Sequence, residues 1–246
     1  MTPTVASLWR HPIKAIGRES IDSVHLKAGQ TMPGDRLWAV AHEASKAEDG
    51  AWARCSSFVR AASSPALMAI EARSEGDMLH LSHPDQPPLT INTATDGAGL
   101  VDWLKPLISQ GRAAPARLVR APQDRGMTDT SEASITLGNL KSHRIVEARL
   151  GRDLSIHRWR CNVWIDGLAP WEEFDLIGKR FRLGTAEVEA FARIGRCEAT
   201  SANPRTGRRD ADILSVLEDY GHQDFTIGLL VTSDGEVATG DRLVLA

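Results

Sequence analysis

The apolar positions of this chain fall in short runs separated by turn-forming residues, a pattern typical of β-rich proteins. In the N-terminal stretch the turn formers are Gly17, Gly29, Pro33 and Gly34. Residues 180–183 and 187–191 alternate apolar and polar positions, as half-buried strands do. Asn162-Val-Trp-Ile165 predicts another strand. These segments together indicate a fold dominated by strands.

A few segments have helical signals instead. An apolar stripe predicts a helix over about 100–109, which Pro106 either interrupts or ends. Residues 134–143 predict a short helix. Asp212 is a suitable N-cap for a further helix, with Gly221 as its stop.

The C-terminal segments complete the predicted architecture. Ser233-Asp-Gly-Glu236 lies between two apolar runs and has the Asp-Gly signature of a β-hairpin, and 240–245 predicts a closing strand. Residues 113–130 have little apolar periodicity and predict an excursion over the surface. We therefore expect a β-dominated α+β fold, with an N-terminal β-barrel-like domain over 1–95 and a second barrel with a few helices over 96–246.

Composition narrows the functional classes. The 246 residues are 42% hydrophobic and 25% charged, which is ordinary for a globular protein with a real core. The net charge of −3 does not favour nucleic acid or an acidic membrane surface as a partner. We find no apolar run of about 18 residues and no secretory signal pattern, so we expect a cytoplasmic protein that does not span a membrane.

The three cysteines, Cys55, Cys161 and Cys197, are too few and too scattered for a disulfide framework, a zinc site or an iron–sulfur cluster. Their odd number, without an export signal, predicts reduced thiols. A cysteine with a chemical role in this chain is therefore expected to act singly.

The segment 193–209 is the richest in candidate chemistry, with five arginines against one acid, Glu198. Arg196 directly precedes Cys197, and a guanidinium near a thiol favours the thiolate, which binds soft metals. Two simpler interpretations remain open at this point. A single cysteine is often a small buried hydrophobe, and a run of arginines is often a solvated surface.

The motifs of this segment resemble those of MOSC domains. The matching residues are Arg196-Cys197, Thr200, Asn203-Pro204 and Thr206-Gly207. Trp159–Val163 resembles a strand of the same family, and Gly240-Asp241 is typical of its end. Cys161 stands where that strand usually has proline.

The N-terminal part resembles the barrel domain that precedes MOSC in amidoxime-reducing proteins and their bacterial relatives. Three motifs carry this resemblance: His11–Gly17, Gly34–Trp38 and Ser131-Glu-Ala-Ser134, the last of which enters a helix in the family. Ala15 replaces the usual serine of the first motif. The resemblance covers nearly the whole chain.

The resemblance implies a molybdenum cofactor, Mo-molybdopterin, with Cys197 as metal ligand and catalytic residue. The implied cofactor-holding residues are Lys14, Arg36, Ser131, Ser134, Arg160, Asn162 and Arg196. Each has an alternative: a solvated lysine, a surface ion pair of Arg36 with Asp35, helix-capping serines, and an arginine that only tunes Cys197. Packing is the expected role of Cys55, and Arg205, Arg208 and Arg209 are expected to form a solvated rim.

Arg160 and Asn162 are two apart in a predicted strand, so we expect both side chains on one face. Cys161 and Val163 should then point into packing on the other face. A polar pair on an inner face is costly unless a polar group lies between the two side chains. A pterin phosphate and its ring amides satisfy that requirement.

The function expected from the resemblance is oxygen-atom transfer from an N-hydroxylated small-molecule substrate, an oxidoreductase activity. Because the sequence has no flavin, nicotinamide or iron–sulfur signature, electrons would come from a separate redox protein. Two alternatives stay open: a carrier or sulfuration module that passes cofactor or persulfide sulfur to another enzyme, with Cys197 as transient nucleophile, and a MOSC fold that has lost the cofactor.

Overall fold

The computed structural model describes residues 2–245, which form fifteen strands and three α-helices. The strands are β1 (Thr4–Arg10), β2 (Glu19–Ile21), β3 (Ser23–Leu26), β4 (Trp38–His42), β5 (Glu71–Glu75), β6 (Met78–His83), β7 (Gln86–Asn92), β8 (Pro115–Arg120), β9 (Ile135–Asn139), β10 (Val163–Asp166), β11 (Arg180–Leu183), β12 (Ala186–Gly195), β13 (Asp224–Ser233), β14 (Gly235–Ala238) and β15 (Leu243–Leu245). The helices are α1 (Gly97–Leu104), α2 (Leu140–Leu150) and α3 (Ile213–Asp219). The expected β-dominated α+β fold is confirmed.

One sheet of eight strands organises the molecule, in the order β15-β11-β12-β13-β9-β10-β1-β2. Its pairs are antiparallel except for β9 and β10, which run parallel. The predicted strands over 180–183 and 187–191 are confirmed as β11 and as part of β12, paired with each other. In β11 this alternation buries Phe181 and Leu183 and exposes Arg180 and Arg182.

The first three strands join the C-terminal half of the chain. β1 lies between β10 and β2 near one edge of the large sheet, and β3 pairs with β14. The middle of the chain forms two smaller sheets, β4-β8 and β5-β6-β7. β1 and β3 therefore each pair with a strand that comes much later in the sequence.

Helix α3 confirms the capping prediction at Asp212, whose side chain accepts a hydrogen bond from the Ser215 amide at 3.1 Å. Helix α1 begins and ends earlier than expected, because Asp96 caps it and Pro106 turns the next residues into a 3-10 helix over Lys105–Leu107. None of the helices between residues 2 and 245 is long and apolar enough to cross a membrane.

Three element predictions are wrong. The supposed excursion at 113–130 contains β8, which pairs with β4. The supposed helix at 134–143 starts with strand β9, and α2 begins only after Asn139, whose side chain caps it. β9 lies between two strands and is buried almost throughout, so it lacks the alternation that identifies a strand with one solvated face.

The third wrong element is the C-terminal hairpin. β13 and β14 follow each other with only Asp234 between them, but they do not pair. The Asp234 carboxylate accepts a hydrogen bond from the Ala28 amide at 2.8 Å, and β14 continues alongside β3. The Asp-Gly sequence thus marks a change of sheet. The predicted closing strand is confirmed as β15, paired with β11.

Candidate functional site

A small pocket of about 60 Å³ lies where the N-terminal segment meets the large sheet. Its lining residues are Arg36, Thr128, Asp129, Thr130, Ser134, Thr136, Arg160, Asn162, Ile194 and Arg196. The structure thus brings five of the implied cofactor-holding residues together. Lys14 reaches the same pocket through an ion pair with Asp129, but Ser131 does not line it.

Arg160 enters the pocket from the turn before β10. Its guanidinium donates to the backbone oxygens of Gly17 at 3.2 Å and Ile13 at 3.3 Å, which leaves other N–H donors free. Burial, reinforced by the charge of Arg36, lowers the pKa of Arg160 to about 9. This value is above neutral pH, so Arg160 remains a cation.

The expectation that Arg160 and Asn162 alternate along a strand is wrong. β10 begins at Val163, and Arg160 has a left-handed backbone with φ of 48° at the end of the 3-10 helix Ile156–Trp159. Both side chains nevertheless line the same pocket, and Cys161 packs away from solvent at 2% exposure. A tight turn, and not strand periodicity, places them.

Asn162 is anchored by the fold itself. Its side-chain oxygen accepts from the amide and the hydroxyl of Thr136, at 3.2 and 3.0 Å. Its side-chain nitrogen donates to the backbone oxygen of Trp9 at 3.2 Å. Asn162 therefore ties β9 to β1 at the floor of the pocket.

Arg36 lines the pocket from the N-terminal part of the chain. It donates to the backbone oxygen of Arg160 at 3.0 Å and is paired with Asp35. Asp35 is 1% exposed, so the pair is internal and the surface ion pair considered from the sequence is wrong. Burial opposes ionisation of Asp35, but Arg36 and His11 outweigh it and keep the Asp35 pKa below its ordinary value.

Lys14 is also internal, at 4% exposure, which rules out the solvated lysine considered from the sequence. Its ammonium donates to the backbone oxygen of Met127 at 2.8 Å and to the Asp129 carboxylate at 2.5 Å. Burial lowers the Lys14 pKa, and the Asp129 charge opposes that change. Lys14 thus fixes the segment that forms one wall of the pocket.

Arg196 closes the pocket at the end of β12. It donates to the backbone oxygens of Phe225, at 2.6 Å, and Trp159, at 2.9 Å, and to the hydroxyl of Thr226. Burial lowers the pKa of Arg196 to about 10, so it too stays charged at neutral pH. Its partners are all neutral oxygens.

Cys197 follows the lining residue Arg196 directly in the sequence; it is exposed and does not itself line the pocket. The 3-10 helix Glu198–Ser201 starts at this point, and its last backbone oxygens accept from the buried guanidinium of Arg158 at 3.1 Å. The interpretation of Cys197 as a small buried residue is therefore wrong. The exposed thiol is held on a short, well-anchored turn.

The two serines differ in position. Ser134 is buried and its hydroxyl lies 3.0 Å from that of Thr130, within the pocket lining. Ser131 is exposed and donates to the Glu132 carboxylate at 2.7 Å. The Ser131–Ser134 motif precedes strand β9, so the expected entry to a helix is wrong.

Several backbone angles near the pocket are unusual. Arg36 and Thr226 have positive φ values of 51° and 74°, as does Arg160. A positive φ is a genuine outlier for a β-branched residue such as threonine, and such conformations concentrate at functional sites. Thr226 is fully buried beneath Arg196, so this strain lies under the pocket.

The charge of the pocket is well suited to an anion. Four cations, Lys14, Arg36, Arg160 and Arg196, face two carboxylates, Asp35 and Asp129, which leaves a net charge of +2. Among residues 2–245, Arg160 and Arg196 form no ion pair. A phosphate monoester carries a charge of about −2 near neutral pH and offers several strong acceptors. The residues therefore fit the phosphate of a pterin cofactor.

Several residues that line the pocket are not among the site residues predicted from the sequence: Thr128, Asp129, Thr130, Thr136 and Ile194. The three threonines and Asp129 carry hydroxyl or carboxyl groups, but they lie in the segments 113–130 and 134–143, where the sequence pattern predicts the wrong secondary structure. The one available signal was Asp129, an acid flanked by threonines shortly after a glycine.

The chain matches two protein families, one in each half of the sequence. The MOSC N-terminal beta barrel domain matches residues 2–114, and the MOSC domain matches residues 124–244. Molybdenum cofactor sulfurase of Caenorhabditis elegans is 23% identical over 94% of this chain, and that of Drosophila mojavensis is 23% identical over 99%. The alignments cover 33% of each of these relatives, so the chain spans about a third of their length.

Two solved structures also align with this chain. YuaD from Bacillus subtilis aligns with all of this chain and 96% of its own, at 12% identity and a TM-score of 0.45. YiiM from Geobacillus stearothermophilus aligns with 46% of this chain and 53% of its own, at 20% identity and a TM-score of 0.37. The two family matches together span nearly all of the sequence, and the chain belongs to the MOSC family, with the MOSC N-terminal β-barrel domain ahead of its MOSC domain.

Proposed function

We propose that this protein binds the molybdenum cofactor, with Cys197 as the metal ligand, and reduces N-hydroxylated small molecules by oxygen-atom transfer. The observation that carries the proposal is an excess of two positive charges at a pocket lined by Arg196, the sequence neighbour of the exposed Cys197 thiol. Relationship to proteins named molybdenum cofactor sulfurase supports a role connected with this cofactor.

In this proposal, different residues hold the phosphate and the metal of the cofactor. Arg36, Arg160 and Arg196 supply the donors for the cofactor's phosphate, because guanidinium groups grip phosphate through paired hydrogen bonds. Cys197 supplies a thiolate, the protein ligand best matched to a soft metal. When bound, the cofactor supplies the metal that exchanges an oxygen atom and two electrons. Removing oxygen from a hydroxylamine group also consumes two protons and releases water.

The experiment that tests cofactor binding is metal analysis of protein produced in a host that makes the cofactor. We expect about one molybdenum per chain, and a protein without molybdenum would instead be a MOSC fold that has lost the cofactor. Reductase activity is then measured with an artificial electron donor, because the physiological donor is expected to be a separate redox protein. A loaded protein that reduces no N-hydroxylated compound contradicts the reductase proposal.

A second candidate function is sulfuration or cofactor transfer. The long alignment with molybdenum cofactor sulfurases and the exposure of the Cys197 thiol favour it. The Cys197 thiolate would then attack the outer sulfur of a donor persulfide, break its S–S bond and release the donor thiolate. The resulting Cys197 persulfide would pass its outer sulfur on and regenerate the thiolate. Mass spectrometry after incubation with a persulfide donor tests it: a stable gain of one sulfur on Cys197, in a protein without reductase activity, supports transfer.

A further inference from the structure

A second cavity, separate from the pocket lined by Arg160 and Arg196, lies in the N-terminal half of the chain. It has a volume of about 220 Å³ and lies between the end of β4 and the segment after α1. Its lining residues are His42, Ser56, Phe58, Val59, Arg60, Ser63, Ser64, Ile108, Gly111, Arg112 and Ala113. The proposed cofactor site shares none of these residues.

The charge of this cavity is one-sided. Arg60 and Arg112 both line it, and none of its lining residues, all within the described chain, is acidic. Neither arginine forms an ion pair with any residue from 2 to 245. Both side chains are exposed, so water screens their mutual repulsion. Their guanidinium groups carry no carboxylate partner and remain available to an anion.

His42 provides an independent signal. Its Nε2 lies 2.8 Å from the backbone oxygen of Ser56, and because a carbonyl only accepts, this nitrogen carries the hydrogen. Its other ring nitrogen, Nδ1, is buried and has no hydrogen-bond partner within residues 2–245. A buried polar atom without a partner is uncommon, and a ligand is one way to satisfy it.

The remaining walls define the rest of the ligand. Phe58, Val59 and Ile108 make part of the cavity apolar, and the hydroxyls of Ser56 and Ser63 add hydrogen-bonding groups. A small ion alone would leave the apolar surface uncovered. A cavity of about 220 Å³ is smaller than the pockets that hold drug-sized ligands, so it has room for one small organic molecule with a polar group.

We propose that this cavity binds a small organic phosphate monoester, with the phosphate between Arg60 and Arg112 and the organic part against Phe58 and Ile108. Arginine forks match phosphate through two parallel hydrogen bonds. A hydroxyl of the phosphate donates the hydrogen bond that His42 Nδ1 lacks.

Calorimetric titration of the full chain with phenyl phosphate tests the proposal. We expect saturable binding that weakens about tenfold or more in Arg60→Gln and in Arg112→Gln, because each removes a charge-assisted pair. Arg54→Gln is the matched control, since Arg54 is exposed in the same domain and does not line the cavity; its affinity should equal that of the unmodified protein. Both test residues are exposed, so far-UV circular dichroism should show intact folds.

The cofactor pocket is also cationic, so Arg160→Gln separates the two sites. Phenyl phosphate should still bind this variant with its cavity affinity. The proposal is overturned if Arg160→Gln abolishes binding while Arg60→Gln and Arg112→Gln bind normally. It is also overturned if benzyl alcohol binds as tightly as phenyl phosphate, since the phosphate would then contribute nothing.

Discussion

At the residue scale, the three thiols differ in their exposure. Cys197 is exposed, Cys55 is half-buried and Cys161 is buried. We predict that Cys197→Ser loses its molybdenum and keeps its fold, because a hydroxyl is a hard and poorly ionised replacement for a thiolate. Metal analysis and circular dichroism of the purified variant check this. Cys55→Ser is the control and should keep its molybdenum. Loss of molybdenum from this variant would identify Cys55 as the metal ligand.

The same differences predict the order of thiol labelling. Burial raises the pKa of the Cys161 thiol to about 11, so very little thiolate is present at pH 8. Iodoacetamide should therefore modify Cys197 fastest, Cys55 more slowly and Cys161 only after unfolding. Peptide mass spectrometry over a time course measures the three rates, and rapid labelling of Cys161 in the native protein would contradict the structure.

Arg160 and Asn162 line one pocket, but their alanine variants should have different defects. Arg160→Ala removes a cation without a carboxylate partner and should weaken cofactor binding by about 2–4 kcal/mol. Asn162→Ala removes the hydrogen bonds that tie Thr136 to Trp9, and it should lower the free energy of unfolding by about 1–2 kcal/mol. Cofactor release by dialysis and urea unfolding separate the two effects. Unchanged retention in Arg160→Ala would leave the polar pocket without a role in cofactor binding.

The sequence was informative about residues where a motif is local. Arg196-Cys197 and Arg160–Asn162 are both contiguous, and each appears at the pocket. Asp129 depends instead on Lys14, 115 positions away in the chain. A pair so distant in sequence has no local signature, because only the folded chain brings its members together.

At the element scale, predictions succeeded where one face of an element is solvated. β11 and α3 have a polar and an apolar side, so their periodicity identifies them. β9 is covered on both sides, and its apolar run fits a strand or a helix equally well. β14 turned out to pair with β3, because the turn signal at Asp234 specifies a reversal of direction and not a partner strand.

The loop that forms one pocket wall depends on Arg125. This guanidinium donates to the backbone oxygens of Ser131, at 2.6 Å, and Thr130, at 3.1 Å, and lies 5.1 Å above the ring of Trp52. We predict that Arg125→Ala speeds amide hydrogen exchange over 126–134 by about tenfold, because the loop loses several hydrogen bonds at once.

Arg125→Lys provides the comparison for that measurement. A lysine keeps the charge over Trp52 but lacks the planar fork that reaches several oxygens together. Exchange over 126–134 should therefore rise in both variants, and more in the alanine variant. Equal exchange in Arg125→Ala and the unmodified protein would show that the loop does not depend on this residue.

At the scale of the whole molecule, the two matched domains share their sheets. β1 lies between β10 and β2 in the large sheet, and β3 pairs with β14. The pocket is shared as well, since Arg36 comes from the N-terminal domain and Arg196 from the MOSC domain. The motifs identified both domains, but the hydrogen bonds between them join residues far apart in sequence and could not be predicted from local patterns.

Two histidines near this junction make the stability of the whole protein sensitive to acid. Burial lowers the pKa of His11 to about 3 and that of His157 to about 4, and in both cases Arg160 contributes to the shift. The native protein therefore keeps both rings neutral, whereas the unfolded chain protonates them below about pH 6.5. Their contribution to stability is complete above pH 6.5 and is lost as the pH falls toward the folded pKa values.

We predict that the free energy of unfolding falls between pH 6.5 and pH 4, by at most about 1.4 kcal/mol per pH unit for each histidine. Urea unfolding at pH 7, 6, 5 and 4.5 measures the slope. His157→Gln should make the slope shallower, because the glutamine takes up no proton on unfolding. His25→Gln is the control, since the His25 side chain is 50% exposed, and its slope should match that of the unmodified protein. An unchanged slope in His157→Gln would mean that His157 is as free to protonate in the native protein as in the unfolded chain.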